Sequence, residues 1–193
     1  TGATTNGFGV NIDGAITDNG GTSLDIDIRT PAATTIDLYA QGGGKLRNII
    51  INHASCVATL GALIDITGNL TITAGELNTN SGSNYAVTVA GTTQVTGTLT
   101  CNASAVSLGS GLTSGWGLDI QTNGTFTGGS GTHTIGSIFA ASGGTKTITL
   151  SSGATTINSK NTSNGYTINL ASGTTFNHGS GTVTMTYAGD TLN

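Results

Sequence analysis

Charge is nearly missing from this chain. Asp, Glu, Lys and Arg make up 7% of its 193 residues, against roughly 25% in ordinary soluble proteins. The only glutamate is Glu76, and the only lysines are Lys45, Lys146 and Lys160. Exposed helix faces are usually built from Glu, Lys, Gln and Arg together with Ala, so long surface helices lack their material. The formal net charge is −4, and no basic patch exists to neutralise phosphates, which argues against a nucleic-acid partner. No apolar run approaches the ~20 residues that a helix needs to cross a bilayer, so membrane insertion is not expected. Proline occurs once, at Pro31, between two strand-like runs. The two cysteines, Cys56 and Cys101, are too few for a disulfide framework and read as small buried apolar side chains. Thr1 stands where an initiating Met would, as expected of a processed chain or a piece of a longer one.

What the chain does have is threonine and glycine. Glycine accounts for 32 residues and threonine for more. Thr and Val restrict their own side-chain rotation, which suits a pleated sheet. Short alternating runs recur from end to end, among them Val10-Asn-Ile12, Leu24-Asp-Ile-Asp-Ile28, Ile36-Asp-Leu38, Val87-Thr-Val89, Leu118-Asp-Ile120, Ile148-Thr-Leu150 and Ile168-Asn-Leu170. Each places aliphatic residues on one face and polar residues on the other, as a half-buried strand requires. Leu46 to Ile51, with three consecutive isoleucines, reads instead as a strand buried on both faces. Gly, Ser and Asn clusters such as Gln41-Gly-Gly-Gly44 and Ser81-Gly-Ser-Asn84 mark turns. Disorder competes with this reading of a polar composition, but the 35% hydrophobic content is regularly spaced rather than diluted.

Self-similarity is the most specific signal. Residues 113–137 align without a gap on residues 163–187, 50 positions later. Trp116 falls on Tyr166, Leu118 on Ile168, and Thr125-Phe-Thr-Gly-Gly-Ser-Gly-Thr-His-Thr134 on Thr175-Phe-Asn-His-Gly-Ser-Gly-Thr-Val-Thr184. Repeats of this size mean solenoids, propellers or arrays. Hairpin dipeptides are scarce (Asn6-Gly7, Asn123-Gly124 and Asn164-Gly165), so a propeller with tight antiparallel blades is disfavoured. The expected fold is all-β, a parallel β-solenoid of about eight to twelve coils if each coil takes roughly 16–25 residues. Low charge fits that geometry, because in-register stacking places like charges directly opposite one another, whereas Thr, Ser and Asn stack freely. Residues 1–45 carry the densest acids and do not match the repeat. They are read as an N-terminal cap or irregular β segment preceding a repetitive solenoid over 46–193.

The run Gly173-Thr-Thr-Phe-Asn-His-Gly-Ser-Gly-Thr-Val-Thr-Met185 resembles degenerate Thr/Gly-rich repeats of marine bacteriophage virion proteins, repeats also seen in bacterial surface adhesins. Leu70-Thr-Ile-Thr-Ala-Gly-Glu-Leu77 and Val95-Thr-Gly-Thr-Leu-Thr-Cys-Asn-Ala-Ser104 share its character, so the likeness covers roughly residues 60–190. It implies a β-solenoid in a tail fibre, spike or surface filament, located on a virion, a cell surface or outside the cell. Association as a homotrimer or helical polymer, or with other virion or surface proteins, is what such a role implies, with a glycan receptor as the further partner. The alternatives are an adhesin passenger that binds glycans and, behind it, an ice-binding solenoid.

Chemistry is harder to find. A glycan-cleaving solenoid needs paired carboxylates across a groove. Asp25 and Asp27, followed by Arg29, share a strand face, but a solvated face is strongly favoured over a catalytic or metal pair, while Asp13, Asp65, Glu76 and Asp119 are isolated in sequence. His53, His133 and His178 have no ligand-spaced partners. His133 aligns with Val183 and is expected in or near the core, and His178 in a turn. Neither a phosphate loop nor a nucleophile elbow is present. No catalytic, cofactor-binding or metal residue is therefore assigned, no cofactor is expected, and the chain is read as a non-enzyme. Tyr85, Trp116 and Tyr166 each lead a strand after a turn. They are the candidate surface or partner contacts, with corner packing as the plainer role. The pairs Thr71/Thr73, Thr132/Thr134, Thr147/Thr149 and Thr182/Thr184 would place hydroxyls on one outer face like an ice-binding ladder. Their irregular spacing argues for ordinary strand filling instead.

Overall fold

The computed structural model describes residues 25–31, 33–36 and 46–187. The strand-like runs at 10–12 and around 38, the glycines at 42–44 and the acids Asp13 and Asp37 lie outside them. Within the described residues there is no helix, and every strand pairing is parallel. The chain winds as a succession of rungs, each laid beside the previous one.

In chain order, β1 (Asp25–Ile28) and β2 (Ala33–Ile36) form the first rung. A second rung comprises β3 (Asn48–Leu60), which runs around a corner, and β4 (Ile64–Ile66). The third holds β5 (Leu70–Asn78), again turning a corner, and β6 (Val87–Val89). Thereafter each rung has three short strands: β7 (Thr93–Val95), β8 (Thr98–Thr100) and β9 (Val106–Leu108), then β10 (Leu118–Ile120), β11 (Thr125–Thr127) and β12 (His133–Ile135). The sixth has β13 (Ile138–Ala140), β14 (Lys146–Thr149) and β15 (Ala154–Ile157). The seventh has β16 (Ile168–Leu170), β17 (Thr174–Asn177) and β18 (Thr182–Met185). Stacking produces three faces. The first and second share a 12-stranded sheet because β3 and β5 bend from one to the other, and the third is a separate 6-stranded sheet. Both β1 and β2 pair with β3, so the described part of the N-terminal stretch is continuous with the solenoid.

The described residues form seven rungs, fewer than the eight to twelve coils expected of the chain, and corner length contributes to the difference. Paired residues in neighbouring rungs lie 20 positions apart at Leu118–Ile138 but 30 apart at Ile138–Ile168. Two long corners, residues 109–117 and 158–167, absorb the difference, while the corner between them is Gly136-Ser137 alone. The 50-residue repeat is therefore two rungs. Leu118, Ile138 and Ile168 form one column, and Phe126, Ile148 and Phe176 another. Residues 113–137 thus lie over 163–187 with one intervening rung. The two long corners meet across the short one: Asn158 Nδ2 donates to Ser110 Oγ at 2.8 Å, and Thr162 N to Thr113 O at 3.2 Å. Asn123-Gly124 makes a corner, not a hairpin. Asn164-Gly165 lies inside the 158–167 loop, which an antiparallel Asn161–Tyr166 bridge closes.

Alternation holds where expected. Leu70, Ile72, Leu77, Leu99, Leu118, Ile120, Phe126, Ile148 and Ile157 all face a common interior and are fully buried. The isoleucine run obeys the same rule: Ile49 and Ile51 point inward, while Ile50 is only half-buried on the outer side between Asp27 and Thr71. It is not buried on both faces, because a solenoid wall has one interior side. At the corner entering the first face, side chains repeat the backbone ladder. Asn48 Nδ2 donates to Asp25, Asn69 N donates to Asn48 Oδ1 at 2.8 Å, and Thr92 N donates to Asn69 Oδ1 at 2.9 Å. Gly91 permits that approach, since a Cβ there would lie 2.4 Å from Asn69 Oδ1 and from Gly68 O.

Candidate functional surfaces

The aromatic candidates occupy two different corners. Tyr85 stands at the corner from the second to the third face, half-buried against the core, its N–H donating to Thr79 O at 3.0 Å. Trp116 and Tyr166 share the corner into the first face but are two rungs apart. Between them stands Phe139, pointing outward in the column that also holds Asp119 and Asn169. Trp116 stacks on Phe139 with ring centroids 5.1 Å apart and planes 20° from parallel. Tyr85 is thus separate from the other two, and Phe139 is the partner that sequence alone did not reveal. Its signal was weak: Ile138-Phe-Ala140 looks like a continuous apolar run rather than a strand with an outward aromatic.

Asp25, Asp27, Glu76 and Asp119 are each engaged along or within the stack. Asp25 is held by Arg47, whose Nε–Oδ1 distance is 2.8 Å, and by Asn48 Nδ2 at 2.9 Å. The Arg47 hydrogen bonds keep its carboxyl below the usual range. Asp27 pairs with Arg29 at 2.6 Å. Glu76 accepts from Asn78 Nδ2 at 3.0 Å. Asp119 is half-buried, accepts from Gln121 at 2.6 Å and from Gln94 of the rung below at 3.3 Å, and has its pKa raised by burial against those two hydrogen bonds. Among the described residues no group of three or more His, Cys, Asp or Glu side chains is arranged to hold a metal. Cys56 and Cys101 are both free and buried, and desolvation raises both thiol pKa values.

Two further ionisable side chains lie inside. His133 occupies the inner column between Val106 and Thr155, as its alignment with Val183 implied. Burial lowers its pKa to about 4. The Gly128 backbone acts in the opposite direction as the lesser influence, and neither ring nitrogen reaches hydrogen-bonding geometry with any group. The ring meets Phe126 edge-on at 6.0 Å. Lys146 is fully buried at the start of β14. Its Nζ donates to Gly143 O at 2.8 Å, Ser172 O at 3.0 Å and Gly144 O at 3.1 Å, so three donors meet three carbonyls across adjacent rungs. Both are structural placements with no substrate-facing side. His178 is exposed at the corner after β17.

The threonine pairs do not share one face. Thr71/Thr73 begins on the first face, Thr132/Thr134 and Thr182/Thr184 belong to the third, and only Thr147/Thr149 lies on the second. On that second face it joins Thr98/Thr100 and Thr125/Thr127, two pairs hidden by uneven spacing along the chain. Register, not sequence distance, decides which hydroxyls are neighbours.

No family model matches the chain, and no curated protein or solved structure is found similar to it. Its class rests on architecture: a three-sided parallel β-solenoid with an aliphatic interior and Thr/Asn-rich walls.

Proposed function

We propose that this chain is a structural rod module of a virion appendage or extracellular filament, working by assembly rather than catalysis. The observation that carries the reading is where its polar chemistry is spent. Asp25–Asn48, Asn48–Asn69, Asn69–Thr92, Asn78–Asn102 and Gln94–Asp119 hydrogen bonds all run from one rung to the next, parallel to the long axis. Groups used this way stiffen a column and are committed before any substrate arrives. Repeated nearest-neighbour interfaces of this kind are how quasi-one-dimensional proteins accumulate stability.

Self-association, as a trimer or helical polymer, follows from the role. Immunogold electron microscopy of the source particles tests it, with label expected along appendages or filaments. Label confined to cell interiors, together with a monomeric mass at high concentration by light scattering, would rule the reading out.

A second reading, attachment to glycans as in an adhesin passenger, is favoured by one feature: the Trp116–Phe139 stack beside Asp119 and Asn169. Aromatic faces with adjacent hydrogen-bonding groups suit sugar rings. Glycan-array binding that Trp116→Ala abolishes is the expected result, and equal binding by both proteins would remove this reading.

A further inference from the structure

The second face carries two parallel columns of threonine over three successive rungs. Thr98, Thr125 and Thr147 stack in one, and Thr100, Thr127 and Thr149 in the other, with residue-for-residue register. Beneath them Leu99, Phe126 and Ile148 are fully buried, so the wall is anchored from inside. The array continues into Glu76/Asn78 on one side and Thr175/Asn177 on the other. Strand geometry sets the repeat at about 4.8 Å between rungs and about 7 Å between columns. Threonine is stiff at χ1, so hydroxyls and methyls are presented as a fixed two-dimensional lattice rather than as mobile groups.

From this lattice we infer that the second face binds ice. A single small ligand would engage one rung and ignore the periodicity. A protein partner is poorly served: five rungs by two columns offer roughly 200 Å², well below the ~800 Å² per partner of a stable interface. Threonine is also under-represented among binding hot spots, where Trp, Tyr and Arg dominate. The three central rungs present no charged or aromatic side chain in either column to grip a polyanion or a sugar. Water ordered on regularly spaced hydroxyls, with methyl groups filling the gaps, has the one property the face selects for: a repeat in two directions. Ice is the hydrogen-bonding solid that extends such a repeat. Each contact is weak, and affinity comes from many made at once on a pre-organised surface. This inference is independent of the rod role, since a filament module can carry such a face or lack it.

The test is ice-recrystallisation inhibition by the full chain at micromolar concentration, repeated with Thr127→Tyr at the centre of the face and with Thr134→Tyr on the third face. Circular dichroism verifies that all three are folded, and Thr125→Lys serves as a second central variant if Thr127→Tyr is not. Inhibition by the wild type, lost with the central variant and kept with Thr134→Tyr, is expected. No inhibition by the folded wild type, or inhibition that survives the central variant, overturns the inference. So does a Thr127-dependent sedimentation shift or retention on insoluble polysaccharide without any effect on ice, which would assign the face to another occupant.

Discussion

At the scale of single residues, the two nitrogen bases buried in the interior are exceptions of opposite kinds. His133 is the uncompensated one, buried with both nitrogens unpartnered. Its pKa is about 4 in the fold against 6.5 as the ordinary value, so between those values the unfolded chain binds the extra proton. Stability is then full above about pH 6.5, falls as pH drops towards 4, and levels off below. The gap corresponds to about 3 kcal/mol. His133→Val, the residue found two rungs later at Val183, should raise stability at neutral pH by about 1–3 kcal/mol by removing orphaned polar atoms. It should also flatten urea-unfolding stability between pH 4 and 6.5; an unchanged pH slope would place the proton elsewhere. Lys146 is the compensated exception. Lys146→Met keeps much of the alkyl volume but removes the donor that three carbonyls share, with an expected loss of about 2–4 kcal/mol. Because the amine is buried and has no carboxylate partner, that loss should differ little between low and high salt, which distinguishes it from a surface ion pair. Of the two, only His133 was legible beforehand, through its alignment with an aliphatic position. Lys146 reads as an exposed lysine in sequence, and only the inward phase of Ile148 two residues on turns it inside.

At the scale of elements, strands were legible and corners were not. Alternation marks the inward residues of β6, β9, β10 and β16 directly, because a solenoid wall has one wet side and one dry side. Corners vary from Gly136-Ser137 to the ten residues of 158–167, and no local rule states which length follows which strand. The rung count, the outward aromatic Phe139 and the threonine columns all depend on those lengths. Sequence reading therefore gave more coils than the seven rungs of the described residues, missed Phe139, and grouped threonine pairs that belong to separate faces. Tight corners impose their own requirement, clearest at Gly129. Its φ is +67°, and a Cβ there would sit 1.6 Å from Asn102 O in the rung below. Gly129→Ala must displace backbone, not a flexible side chain, so a loss of about 3 kcal/mol or more is expected. Chemical denaturation measures it, and a loss below about 1 kcal/mol would mean that the rungs can separate locally at this corner.

For the whole molecule, the question is what unit the rod repeats. Pairing says one rung, but the long corners at 109–117 and 158–167 touch each other over a short one, which makes the unit two rungs and explains the 50-residue period. A solenoid of nearest-neighbour interfaces accepts insertion of whole units, since each new interface copies an existing one. Repeating residues 118–167 after Thr167 joins Thr167 to a second Leu118, where Ile168 normally follows, and Leu118 and Ile168 already share a column. The product should gain two rungs, lengthening the rod by about 10 Å in small-angle scattering, with no fall in melting temperature. Repeating residues 118–137 alone adds one rung but puts a second short corner between the long ones. Asn158 then stands one rung too far from Ser110, and the 158–167 loop loses its partner. This shorter insertion should melt below both the parent and the 50-residue insertion, even though it adds a complete set of backbone hydrogen bonds. Equal melting temperatures for the two insertions would show that the single rung is the cooperative unit and that the paired corners contribute nothing to it.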